Sequence, residues 1–433
     1  MPKPLKVLIF SYYWPPAGGP GVQRWLYFAK YLGSCGVTPT IVVPQGAHYP
    51  QIDEALSQDI PSEIKVHRVS ITEPYRWISW CLPSATKNLS RGIVPKKPGL
   101  IPGLLLWIRG NFWVPDARIG WVRRALHWAN SQTDLDTYDW IITTGPPHSV
   151  HLIGAELSSK YPLKWLADFR DPWTGIHYHS KLRLLPWAAK KHQLLEQMVC
   201  RQADLIVATS PSTASSLALI AGSDKTHCIT NGYEPMAVQE LVVDKHSGFV
   251  MAHVGALLAE RNPAGLWSAI ARLVAASPEF SAHFSLQLVG HVADSVVASI
   301  EALGLQPWVN IRGYLPHHQA RQVQWSADVL LLVEASQPWA SEIIPGKFFE
   351  YIETQKPILA LGPDRWDVHE ILTHTQTGFF AESLDDQRIE SLMWSLWQHH
   401  QSGAPLTNPI DTERYTRQNK TVQLANLLHE FTV

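Results

Sequence analysis

Short, unbroken apolar runs alternate with helix-length stretches along the whole chain. That pattern predicts strands buried on both faces of parallel sheets and joined by crossover helices. In the first half the runs are Val7–Phe10, Thr40–Val43, Val66–Val69, Trp140–Thr143, Trp165–Phe169 and Leu205–Ala208. In the second half they are Val250–Val254, Leu286–Val289, Val309–Ile311, Val329–Val333 and Ile358–Leu361. Predicted helices between them include Val22–Leu32, Arg118–Asn130, Pro186–Gln202, Pro263–Leu273, Pro345–Glu353 and Ile389–His399, with Pro186 and Pro345 suited to the first helical position. Two successive β-α-β series predict an α/β protein with two doubly wound, Rossmann-like domains. The break falls at Asn231-Gly232-Tyr233-Glu234-Pro235, which divides the chain into domains 1–234 and 235–410. Asp411–Phe431 reads as one further helix after the second series has ended.

Composition sharpens this division. The 433 residues are 45% apolar and 17% charged, too apolar for disorder, and no apolar run approaches the ~20 residues that span a bilayer. The formal net charge of −1 conceals opposite halves: residues 1–232 hold 24 Lys+Arg and 15 Asp+Glu, whereas 233–433 hold 12 and 22. Most of the basic excess lies in 76–124, where nine Lys or Arg residues accompany one acidic residue, Asp116, and the tryptophans Trp77, Trp80, Trp107, Trp113 and Trp121. The N-terminus runs directly into the first strand with no apolar leader region, so a cytoplasmic location is expected. Cys35, Cys81, Cys200 and Cys228 are scattered singly, which indicates neither a disulfide framework nor a zinc site.

Ligands of open α/β sheets bind beyond the carboxyl ends of the strands, so the chemistry is sought just after each apolar run. After the first run, Ser11–Arg24 contains Gly18, Gly19 and Gly21 at the start of a helix, where backbone N–H groups can approach an anion. Gly19-x-Gly21 is followed by Arg24 rather than the third glycine of the dinucleotide fingerprint, which counts against a nicotinamide-dependent oxidoreductase. No G-x-x-x-x-G-K-[ST] occurs, which excludes a P-loop. The densest constellation is Glu342-Ile-Ile-Pro345-Gly346-Lys347-Phe-Phe-Glu350-Tyr351. A lysine in a first helical turn opposes the helix dipole unless an anion sits between the amine and the N-terminal amides. Alternatively, Glu342 and Lys347 form a solvated surface pair. Arg261, just beyond the run Val250–Val254, brings a second cation to a strand end of the same domain. Two cations with two carboxylates suit a nucleoside diphosphate carrying a sugar.

The spaced set resembles the family 4 retaining glycosyltransferases of the two-domain GT-B fold, over essentially the full length. Glu342 and Glu350 match that family's E-x7-E pattern, Arg261 and Lys347 its diphosphate-binding pair, and Gly18-Gly19 its N-terminal glycine loop. Tyr314 and Leu315, in Gly313–Pro316, resemble the strand end whose backbone holds the nucleobase. The resemblance implies two domains facing a cleft, donor bound by the second and acceptor by the first, and a C-terminal segment 411–433 that crosses back to the first domain. It implies that Arg261, Lys347 and Gly346 neutralise the departing diphosphate, that Glu342 holds the sugar and Glu350 the ribose, and that His148 lies beside the sugar. Asp168, Arg170 and Asp171 then stand where an acceptor hydroxyl or phosphate is held, the alternative being an Arg–Asp pair that braces the turn. Asp134-Leu-Asp136 has the letters of a metal motif but lies at the wrong end of a strand, so neither a metal nor a bound cofactor is expected.

The resemblance implies a hexosyltransferase of cell-surface polysaccharide or glycolipid synthesis, acting on a glycan or lipid-linked acceptor. The partners implied are a nucleoside diphosphate sugar, that acceptor and, through 76–124, an anionic membrane surface at the inner face of the plasma membrane. The insert is equally readable as a core-packed excursion with solvated charges. A nucleic-acid partner is not indicated, because the charge forms no basic helix face and accompanies no known binding module. Alternatives are a sugar-nucleotide epimerase of the same architecture and a non-catalytic nucleotide-sugar-binding scaffold.

Overall fold

The computed structural model describes residues 4–49, 51–71, 100–175, 182–236 and 246–432. The chain divides into two compact units, one of residues 1–231 with 417–433 and one of residues 232–416. The first unit contains a sheet of β1 (Leu5–Ser11), β2 (Val37–Gln45), β3 (Lys65–Ser70), β4 (Trp140–Gly145), β5 (Lys164–Phe169), β6 (Leu205–Ala208) and β7 (Thr226–Cys228), in the order β3-β2-β1-β4-β5-β6-β7. Every pairing is parallel. Successive residues of β1 serve opposite faces, Leu8 and Phe10 in one apolar layer and Val7 and Ile9 in the other. This two-sided burial is why the strands read as continuous apolar runs rather than alternating ones.

The second unit repeats the plan with β8 (Phe249–Val254), β9 (Phe284–Val289), β10 (Val309–Gly313), β11 (Val329–Val333), β12 (Ile358–Gly362) and β13 (Gly378–Glu382), in the order β10-β9-β8-β11-β12-β13 and again parallel. Each sheet reverses its strand order once, between β1 and β4 in the first and between β8 and β11 in the second. Such a reversal splays the flanking connections to opposite faces and opens a crevice at the carboxyl ends.

Strands β7 and β13 were not among the predicted runs. β7 is Thr226-His-Cys, with no apolar stretch to mark it, and both lie at sheet edges where burial is incomplete. The C-terminal segment is also not one helix: Thr412–Tyr415 forms a short 3-10 turn, Thr416 is extended, and the α-helix begins at Arg417. That helix, Arg417–Thr432, places Leu424, Ala425 and Leu428 in the same apolar layer as Trp25, Leu26 and Leu32 of helix Pro20–Leu32. Its end is tied by Trp140 Nε1 donating to Thr432 Oγ1 (2.7 Å) and Lys164 Nζ donating to the Phe431 carbonyl.

Of the segment 76–124, residues 76–99 lie outside the described residues, including Trp77, Trp80 and Cys81. The remainder includes helices Leu100–Phe112 and Ile119–Asn130, the second burying Trp121, Val122, Ala125 and Ala129. Among the described residues no helix is long and apolar enough to cross a membrane.

Candidate functional site

The reversal point of the second sheet gathers a cluster of charged and polar groups. β8 is followed directly by Gly255, whose φ of 124° suits glycine and whose missing side chain admits Lys347, since a Cβ there would lie 2.9 Å from Nζ. The chain then passes through the 3-10 turn Ala259–Arg261, while β11 runs into Glu334. Helix Gly346–Thr354 follows, anchored by Phe348, Phe349 and Ile352 in the core and by Tyr351, whose hydroxyl accepts from the Val254 amide at 2.8 Å. Pro345 is the N-cap and Gly346 the first helical residue, one position later than the sequence suggests. No acidic residue and no capping side chain occupies that amino end.

Lys347 is therefore not half of a solvated surface pair. Its Nζ lies 3.1 Å from Nε2 of His253, a fully buried residue of β8. His253 Nδ1 lies 2.9 Å from the Leu331 carbonyl, which can only accept, so Nδ1 carries the proton and Nε2 offers its lone pair to the amine. Burial, with Lys347 and Arg261 nearby, holds the imidazole well below its ordinary pKa, against the pull of the Leu331 and Ala256 carbonyls. Burial and the Arg261 charge likewise bring the Lys347 amine down to about 7, with Glu334 and Glu350 opposing them.

Arg261 donates through Nε to Glu334 Oε1 at 2.6 Å, with its side chain 26% exposed and that of Glu334 fully buried. Glu334 Oε1 also accepts from the Ala335 amide, while Oε2 is buried without a hydrogen-bond partner among the described residues. Glu350, one turn beyond Lys347, accepts from Gln324 Nε2 (2.9 Å), lies 3.1 Å from His317 Nε2 and has Arg321 3.7 Å away. Burial disfavours its charge, but His317, Arg321 and Gln324 outweigh that and hold the carboxyl at about 2. Glu350 is thus a carboxylate fixed in place by its own unit. Glu342 lies in the turn before the helix, Leu315 is partly buried, and Tyr314 follows the end of β10 with its side chain 84% exposed.

The first unit places its candidates less uniformly. Gly18 and Gly19 form the loop after β1, tied by Gly18 N to Gln51 O (3.0 Å), and Gly19 is the N-cap of Pro20–Leu32. His148 opens a 3-10 turn after β4, is 5% exposed, and stacks on Trp173 with ring centroids 4.9 Å apart. Asp116 fixes that turn by accepting from the amide and hydroxyl of Ser149, both at 2.8 Å. Arg170 donates to the Pro146 carbonyl and lies against Gly21 and, at 5.9 Å, the Tyr13 ring, while Asp171 is exposed.

Asp168 is the clear correction to the acceptor-side group. It is 1% exposed, and its carboxylate accepts from Arg24 NH2 (2.8 Å), Trp25 Nε1 (2.7 Å) and Thr144 Oγ1 (2.8 Å). Arg24 continues to the carbonyls of Ile229 and Thr230. The pair joins the first helix, β4, β5 and the end of the unit's last connection, and leaves no oxygen facing an acceptor. The sequence reading missed His253 and Glu334 at the second site. Glu334 stands directly after an apolar run, where ligands of open α/β sheets bind, whereas His253 inside a run carries no signal separating it from a core histidine. No group of His, Cys, Asp and Glu suited to a metal ion occurs among the described residues, and Cys35 and Cys200 are free thiols.

No family model matches this chain, and no curated protein does. Solved structures do match. HepE of Anabaena, in complex with UDP-glucose, is 15% identical over 98% of this chain and 100% of its own, with a TM-score of 0.61. Sucrose-phosphate synthase from Thermosynechococcus elongatus is 13% identical over 98% and 94%, with a TM-score of 0.57. A putative UDP-N-acetylglucosamine 2-epimerase from Listeria monocytogenes is 11% identical over 97% and 94%, at 0.53. With the strand order of both sheets, these similarities establish the GT-B fold of two Rossmann-like domains.

Proposed function

We propose that this protein is a glycosyltransferase that moves a sugar from a nucleoside diphosphate sugar to a hydroxyl of a glycan or lipid-linked acceptor. The observation that carries the reading is the partly buried Lys347 amine, held against His253 with the Arg261 charge nearby, at an amino helix end free of acid residues and at the reversal point of the second sheet. An anion seated there gains two cations and the helix amides, and a departing diphosphate is such an anion. HepE, solved with UDP-glucose on the same fold, supports this reading.

In the proposed mechanism Lys347, Arg261 and the Gly346 amide stabilise charge growing on the leaving diphosphate. Glu342 holds donor-sugar hydroxyls, and Glu350, oriented by His317 and Gln324, holds the ribose. Gly18, Gly19, Tyr314 and Leu315 complete the donor contacts through their backbone, and His148 orients the sugar. The acceptor belongs to the first unit, near Arg170 and Asp171. Retention, independence of a metal ion, and service to cell-surface glycan or glycolipid synthesis at the inner membrane face are parts of the same proposal. The test is release of nucleoside diphosphate from a donor panel, with and without acceptor. Lys347→Ala is expected to lower turnover about 10²–10³-fold; unchanged turnover would overturn the assignment. The Listeria similarity favours one second reading, an epimerase, which would isomerise the donor sugar with no acceptor present.

A further inference from the structure

We propose that His253 is a positioning residue for Lys347, and that the two form a pair through which seating a diphosphate at helix Gly346–Thr354 takes up one proton. This rests on the reading of that site as a diphosphate site. The imidazole cannot follow a moving amine, because it is fully buried and fixed to the Leu331 carbonyl across the β8–β11 reversal. A neutral ring with its lone pair directed at Nζ, 3.1 Å away, gives the amine one favoured direction without neutralising it. A carboxylate in the same place would cancel the charge that the diphosphate needs.

The groups facing Lys347 are His253 from β8, Arg261 from the turn after it, Glu334 from the end of β11 and Glu350 from its own helix. Glu334 is engaged by Arg261 and Glu350 by His317 and Gln324, so neither meets the amine as an undivided counter-charge. Burial and Arg261 leave the amine near 7. An adjacent diphosphate favours the ammonium and returns it toward its ordinary range. Above pH 7 the free protein therefore holds Lys347 largely as the neutral amine. Binding then draws one proton from the buffer acid onto Nζ: an N–H bond forms on the amine as the buffer's bond to that proton breaks and leaves its conjugate base. The sign follows: affinity is greatest below pH 7 and falls as pH rises through it.

The probes are UDP-glucose, GDP-mannose and ADP-glucose, whose diphosphate diesters keep a fixed charge between pH 6 and 8. Titration calorimetry of the full chain in buffers of different ionisation enthalpy reads the proton uptake. Uptake is expected to be about 0.9 proton at pH 8 and about 0.1 at pH 6, with Kd weakening about ten-fold between them. His253→Gln, which keeps an acceptor near Nε2, is expected to bind within about three-fold of wild type at pH 6, and His253→Phe about ten-fold more weakly. Tight binding with no uptake at pH 8, or a folded His253→Phe chain that binds like wild type, overturns the proposal. Should His253→Phe not fold, the wild-type calorimetry decides alone. Proton-linked binding without sugar transfer refutes the glycosyltransferase reading and leaves this inference standing; transfer without linkage does the reverse.

Discussion

Removing one partner of the Arg24–Asp168 pair tests whether Asp168 is structural or contacts an acceptor. The carboxylate accepts from Arg24, Trp25 and Thr144, and burial alone would raise its pKa, yet these partners hold it below the usual range. Asp168→Asn is isosteric but turns an amide toward donors and leaves Arg24 with carbonyl partners and the Asn231 side chain. Stranding one charge of a buried pair costs about 3–5 kcal/mol. In a unit of this size that is roughly 6–20 °C in Tm. Arg24→Met is expected to cost a similar amount by stranding the carboxylate. The double variant is expected to cost less than the sum of the two, because the second substitution removes the charge that the first had stranded. The assay is urea unfolding of wild type, both single variants and the double variant, followed by circular dichroism, with donor and acceptor KM measured on the folded chains. Wild-type stability in Asp168→Asn together with a raised acceptor KM would refute the structural role and restore Asp168 to the acceptor site.

Two further outcomes follow from the second unit. Glu350 titrates at about 2 against an ordinary 4.5, so its charged contacts stabilise the fold above pH 4.5, and the contribution is lost as pH falls through 2. Glu350→Gln should therefore lower stability by up to roughly 3 kcal/mol at pH 7, with the gap closing toward pH 2 in paired urea titrations; a gap that does not change with pH would contradict this. Gly255→Ala forces a side chain onto a φ of 124° and toward Lys347 Nζ, so calorimetry should show UDP-glucose, GDP-mannose and ADP-glucose all binding about ten-fold more weakly. Unaltered affinity would show that the amine is not held where the structure places it.

The chain by itself determined the strand-and-helix series, the division near Asn231, and the position of Arg261 and Lys347 just past apolar runs. These are local properties: a strand buried on both faces must be continuously apolar, and a group at its carboxyl end can be read by counting. What only the tertiary structure decided are the pairings. Asp168 and Arg170 look alike in sequence, but Arg24 is 144 positions from Asp168 and turns it into an interior ion pair. Leu331, 78 positions from His253, selects the tautomer that receives Lys347. Edge strand β7 exists because β6 offers it a ladder, since Thr226-His-Cys has no apolar pattern of its own. Burial and partner identity set the charge state of each of these groups, and both arise only when distant segments meet.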